Sequence, residues 1–140
     1  MRISTKGRYG TRAMLALATH YDKGLLAANQ IAADQNISLK YLESLLSALK
    51  TAQLVSSVRG PRGGYTLTRP PAEITIFDVL APLEDALDIV HCTENGDQCE
   101  RNQACCTQEI WIQVKGAVDD ILCGTTLADL LDRQQILKDG

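Results

Sequence analysis

Several common sources of chemistry are missing from this chain of 140 residues. No stretch approaches the roughly 18 apolar residues of a membrane span, which excludes a spanning helix. The basic start followed by Ala13-Met14-Leu15-Ala16-Leu17-Ala18 imitates a leader, but the run is shorter than a secretory core of about 7 to 15 apolar residues. His20, Asp22 and Lys23 then interrupt it, and a cytoplasmic protein is expected. There is no C-x-x-C and no nucleotide fingerprint, and neither histidine, His20 or His91, stands in a hydrolytic arrangement with Ser or Asp. Repeats, low-complexity runs and flexible linkers are absent, and aromatics amount to only 4%. The length suits one domain, or a small domain with an oligomerisation appendage, and all but excludes a two-domain enzyme. An enzyme is therefore not expected.

What is present is ordinary globular stock, 45% hydrophobic and 22% charged, divided into two unlike halves. Residues 1–70 carry ten Lys/Arg against three Asp/Glu, a net of plus 7; residues 71–140 carry four against fourteen, a net of minus 10. Such asymmetry predicts a basic surface for a polyanion and an acidic remainder with another task. Four of the five cysteines fall in the acidic half between Cys92 and Cys106. In a reducing compartment that clustering, with an odd total, points to metal binding or redox chemistry rather than to disulfides.

Ser4 or Thr5 is suited to cap a first helix reaching about Tyr21, with Tyr9, Ala13, Leu17 and Tyr21 on one face and Gly24 beyond it. A short helix is predicted over 28–35, a tight turn at Asn36, and a second helix from a Ser38 cap to about Thr51. Leu42, Leu45, Leu46 and Leu49 form its core stripe, leaving Lys40, Glu43, Ser44 and Ser47 outside. Two helices joined by a short turn, the second with a polar outer face, form a helix-turn-helix. Strand-like segments 54–59 and 65–69 flank Gly60-Pro61-Arg62-Gly63-Gly64, a β-hairpin with a basic, glycine-rich tip: a wing. A short helix is expected over 74–80 and a long one from Thr107 to about Cys123, with Ile110, Trp111, Val114, Ala117, Val118, Ile121 and Leu122 on a wide apolar face. Thr125 or Thr126 caps a final helix containing Leu127, Leu130 and Leu131. The fold class expected is mainly α with a small β-hairpin wing: a winged helix-turn-helix over 1–81, an acidic cysteine-rich loop over 82–106, a dimerisation helix over 107–124, and a C-terminal helix and tail over 125–140.

A protein that grips duplex DNA must concentrate cations on one face, because phosphate recognition works through counterion release. Arg2, Lys6, Arg8 and Arg12 on the first helix, Lys40 on the recognition helix, and Arg59 and Arg62 at the wing supply them. Gly60 and Gly63 let the backbone approach phosphates, and Arg59 is the residue type that reads a narrow minor groove. Ser38, Lys40, Tyr41, Glu43 and Ser44 are placed to meet phosphates or base edges, and a glutamate accepts from the cytosine amino group. One such module seldom specifies a site alone, so a homodimer on a near-palindromic operator is expected, with the 107–124 helix joining the copies. The other reading of its apolar face is packing within its own chain.

The cysteines are spaced C-x6-C-x5-C-C in a polar loop. Structural zinc favours pairs two to four residues apart, a poor match. Thiolates spread along one loop suit an iron-sulfur cluster, which needs about four ligands. Candidates are Cys92, Cys99, Cys105 and Cys106, with Glu109 and His91 as oxygen and nitrogen donors. Cys123 is expected to be structural.

The chain resembles the IscR-type winged-helix transcriptional regulators. The likeness rests on Met1-Arg-Ile-Ser-Thr-Lys-Gly-Arg-Tyr9, Ile37-Ser-Leu-Lys-Tyr-Leu-Glu43 and Leu54-Val-Ser-Ser-Val-Arg-Gly-Pro-Arg-Gly-Gly-Tyr65, and on three cysteines followed by Trp111 and Thr126-Leu-Ala-Asp-Leu130. The resemblance implies that Cys92, Cys99 and Cys105 are the thiolate ligands, with [2Fe-2S] favoured and [4Fe-4S] the alternative. It also implies that the helix from about Thr107 crosses its partner in a homodimer and that Glu43 and Arg59 face DNA bases. This chain departs from the family at three points. Gln108 stands where the iron-sulfur biogenesis regulators carry a histidine, and Arg8 stands where a nitric-oxide-sensing branch has an acidic ligand. The first inter-cysteine loop is also one residue longer. The fourth ligand stays open among Cys106, Glu109 and His91, in that order. Two rivals remain: a cluster-free family member governing cysteine metabolism, whose relatives lack the three-cysteine loop, and a small thiol-redox protein, which the missing C-x-x-C disfavours.

Overall fold

The computed structural model describes residues 2–85, 87 and 106–140. Helix α1 (Thr5–Thr19) starts at Ser4, whose hydroxyl accepts from the Gly7 N–H at 3.3 Å. It stops two residues short of the expected Tyr21, because Asp22 (φ 65°) and Gly24 (φ 98°) turn the backbone into the left-handed region. Its inward face carries Ala13, Met14, Leu17 and Ala18, all buried, with Tyr9 and Tyr21 half-buried beside them.

Helix α2 (Ala28–Gln35) ends on Asn36 at φ 54°, a left-handed stop that asparagine tolerates. Ser38 then caps α3 (Leu39–Thr51) by accepting from the Tyr41 N–H at 3.1 Å. Leu42, Leu45, Leu46 and Leu49 are buried, and Lys40, Glu43, Ser44 and Ser47 are exposed, as the spacing predicts. A left-handed Gln53 (φ 63°) reverses the chain into β1 (Val55–Val58), which pairs antiparallel with β2 (Gly64–Leu67) from Val55–Leu67 to Val58–Gly64. Both strands are shorter than the sequence suggests. Leu26 adds a third edge, exchanging backbone hydrogen bonds of 3.0 and 2.9 Å with Tyr65.

A 3-10 turn (Pro71–Glu73) precedes α4 (Ile76–Leu80), where one continuous helix is expected over 74–80. Thr75 interrupts it by closing a capping box with Asp78. The long helix α5 (Cys106–Gly124) begins one residue earlier than expected, and α6 (Leu127–Asp139) opens on a second capping box, Thr126 with Asp129. The two boxes lie side by side. Thr75 and Thr126 form an antiparallel bridge, with Ile76 N–H donating to the Thr125 carbonyl and Leu127 N–H to the Ile74 carbonyl, both at 2.9 Å. Leu127 is thereby sealed in the same core as Met14, Leu17, Leu46, Ile74 and Val79.

Only part of α5 is covered by its own chain. Gln108 is buried and Lys115, Val118, Asp119 and Leu122 are half-buried, all on one side of the helix, and Leu122 shares a pocket with Ile76 and Leu80 of α4. The stripe Ile110, Val114, Ala117 and Ile121 is exposed, together with Trp111 and Ile112. Cys123, expected as a structural residue, is an exposed free thiol instead, on a side of the helix end that no described element covers. Among the described residues no helix is long and apolar enough to cross a membrane.

Candidate nucleic-acid interface

The turn at the wing tip follows from its sequence. Gly60 takes φ 111°, Pro61 and Arg62 occupy the corner, and the Gly63 N–H closes the turn on the Gly60 carbonyl at 2.9 Å. A β-carbon at Gly63 would overlap the Val58 carbonyl oxygen, so only glycine lets the two strands meet there. The closed turn presents Arg59 and Arg62, both exposed, on a short rigid support.

Helix α3 lies beside this wing, and the two enclose an open cleft of about 390 Å³. Glu43 and Arg59 line it from opposite sides, with Gly60 and Gly63 at the tip and the exposed side chains of Leu39 and Val58 as an apolar wall. Glu43 makes no hydrogen bond or ion pair among the described residues, so its carboxylate is available as an acceptor in a cleft flanked by cations. A carboxylate so placed suits a base amino group, an arginine suits base edges or a narrow groove, and apolar atoms suit a thymine methyl.

Lys50 and Asn29 are cleft residues that the sequence does not single out. Lys50, in the last turn of α3, donates to the Ser57 hydroxyl on β1 at 2.8 Å and so ties the recognition helix to the wing. The signal was available, since Leu39, Glu43 and Lys50 fall on one face at i, i+4 and i+11. Asn29, at the start of α2, lines the same cleft.

The other basic residues gather at the N-terminus of α1. Arg2 and Arg8 flank a hollow of about 330 Å³ with Ser4 and Thr5. Lys6 shares a notch of about 310 Å³ with Tyr41 and Glu84, which brings the start of α1 next to the start of α3. Tyr41 is half-buried, its ring edge-on to Tyr9 with centroids 6.3 Å apart, and Arg12 lies 5.4 Å over the Tyr9 ring. Ser38, Lys40 and Ser44 are exposed; the Ser38 hydroxyl caps α3, and that of Ser44 donates to the Tyr41 carbonyl at 2.7 Å.

Of the metal candidates, His91, Cys92, Cys99 and Cys105 lie outside the described residues. Cys106 and Glu109 are both exposed in the first turn of α5, one turn apart, and Cys106 is a free thiol. A cysteine sulfur is a soft donor of the kind iron-sulfur clusters take. Among the described residues no three His, Cys, Asp or Glu converge on one point.

The sequence model of the Rrf2 family, described as iron-dependent transcriptional regulators, matches residues 3–133. The HTH-type transcriptional regulator IscR of Sodalis glossinidius is 37% identical over 137 residues, covering 98% of this chain and 82% of that protein. Among solved structures, CymR, the global cysteine regulator of B. subtilis, superimposes with a TM-score of 0.81 at 38% identity, covering 95% of this chain and 98% of that one. T. potens IscR superimposes with a TM-score of 0.77 at 36% identity, covering 96% and 88%. These relatives are regulators rather than enzymes and share the helical fold with its two-stranded wing. The chain belongs to the Rrf2 family of winged-helix transcriptional regulators.

Proposed function

We propose that this regulator is a homodimer that reads a near-palindromic operator with α3 and the wing, and that it senses iron-sulfur status through Cys92, Cys99 and Cys105. The single observation that carries the DNA half is the cleft in which an unpaired Glu43 faces Arg59 across the recognition helix and wing. Arg2, Lys6, Arg8, Lys40 and Arg62 contact phosphates, and Gly60 and Gly63 admit the backbone to the groove. The exposed stripe on α5 supports the dimer, since a row of large apolar residues at helical spacing needs a cover.

The sensing half rests on the donor set: three thiols spread over one segment that runs into the N-terminus of α5, with Cys106, Glu109 or His91 completing four. A bound cluster, [2Fe-2S] or [4Fe-4S], would supply iron-thiolate bonds that oxidants and nitric oxide break. Cys92, Cys99 and Cys105 would hold the cluster, and its gain or loss next to α5 would change how α5 sits against a partner and how two heads span DNA. No part of this scheme needs a membrane, and the protein works in the cytoplasm.

A second reading, a cluster-free regulator of cysteine metabolism, is compatible with the superposition on CymR. One experiment separates the two. Anaerobic purification, followed by reconstitution with iron and sulfide, should give a coloured protein with charge-transfer bands that vanish in a Cys92, Cys99, Cys105 triple alanine variant. A protein that stays colourless overturns the cluster and leaves the cysteine-metabolism reading.

A further inference from the structure

A carboxylate stands beside the basic residues where a phosphate-binding surface gains nothing from negative charge. Glu84 is half-buried, and one of its oxygens, Oε1, accepts from both the Ser4 N–H (2.8 Å) and the Ser4 hydroxyl (2.9 Å). The same hydroxyl accepts from the Gly7 N–H, so a chain of donors runs from the first turn of α1 through its cap to the carboxylate. The contact spans 80 residues of sequence and is tightly fitted. A β-carbon at Gly7 would meet Glu84, and one at Gly10 would meet Leu83, so both glycines admit this segment at the expense of helix propensity. A carboxylate suits a helix N-terminus, but Glu84 also lines the notch with Lys6 and Tyr41, where it repels a phosphate.

We propose that Glu84 is a positioning residue for DNA binding. By pinning the cap of α1 it fixes the direction in which Arg2, Lys6 and Arg8 leave the helix start, and it holds that start against Tyr41 on α3. Among the described residues the Ser4–Glu84 pair supplies the long-range hydrogen bonds of residues 2–4, and cations on a segment loosened from that anchor lose phosphate contacts. The inference rests on the DNA-binding reading above and is independent of the cluster.

The test uses the full chain and a short random-sequence DNA duplex, with binding followed by fluorescence anisotropy across a salt series. Glu84→Gln keeps an acceptor oxygen and removes the charge, so it should bind as well as the parent protein or more tightly. Glu84→Ala should bind about tenfold more weakly, and its slope of log affinity against log salt should lose about one unit, as one phosphate contact is lost. Ser4→Ala, which leaves the carboxylate in place, should lose about threefold in the same direction, and it carries the test if Glu84→Ala does not fold. A general acidic-surface role predicts the opposite sign, with both Glu84 variants binding more tightly. That result, an unchanged Glu84→Ala or Ser4→Ala, or equal losses in Glu84→Gln and Glu84→Ala would overturn the proposal. If the parent protein ignores the duplex, the DNA reading itself falls and takes this one with it.

Discussion

Val114→Asp puts a charge at the middle of the exposed stripe on α5, between Ile110 (51% exposed) and Ile121 (66%). Val114 leaves 40% of its surface in water. Covering that part of a valine is worth about 0.6 to 1.2 kcal/mol, on a scale of about 1.5 to 3 for the whole side chain, and twice that in a symmetric pair. The aspartate also asks two carboxylates to leave water, at several kcal/mol per ion unless they reach a wet edge. A combined penalty on the order of 4 kcal/mol should raise the dissociation constant of the proposed dimer about a thousandfold. Sedimentation velocity over a concentration series reads this directly, and circular dichroism checks that the separated chain stays helical. Ile136→Asp is the control, because Ile136 is 60% exposed but sits on α6, away from the stripe. If Val114→Asp sediments like the parent protein, or if the control dissociates equally, the stripe is not the dimer contact.

Two further outcomes follow from the cleft and the wing. Arg59→Ala should cost about 1 to 3 kcal/mol on the sequence selected from a random pool and less on random DNA; equal losses would make Arg59 a phosphate anchor only. Gly63→Ala should lower the melting temperature more than Gly60→Ala, because its β-carbon meets the Val58 carbonyl while Gly60 has open space and only its φ of 111° to strain, at about 1 to 3 kcal/mol. The reverse order in thermal denaturation would mean that the strands shift easily and that the tip is held by φ alone.

Features carried by local chemistry were legible before any coordinates. Asn36 and Ser38 mark the turn between α2 and α3, and the Gly60 to Gly64 run marks the wing, because caps and turns are decided within a few residues. The pairing of Leu26 with Tyr65 left no alternating pattern to read, since one residue makes the whole edge. Nor did the sequence show that Thr75 and Thr126 dock on each other, since each capping box signals only its own helix. Ser4 and Glu84 are the extreme case, an ordinary cap and an ordinary acid until the fold joins them. Periodicity revealed that α5 is apolar over a wide face but not that Gln108 and Leu122 turn inward while Ile110 and Ile121 face out. Lys50 lies in the last turn of the recognition helix, where no cap or turn residue marks a site, although the cleft extends that far.

The paired backbone bonds at Thr75 and Thr126 fasten the far end of α5 to the head, through a connection only a few residues long. With 19 residues, α5 is a rod about 28 Å long, clamped at the end that meets the head. A clamped rod turns small rotations into large displacements. Tilting it by about 7° carries the opposite end through about 3.4 Å, one base-pair step, while half-sites one turn apart are separated by about 34 to 36 Å. In the proposed dimer, the register between two heads on DNA would follow the angle at which two such rods cross, and a change there of about 7° would move one head by about a base pair.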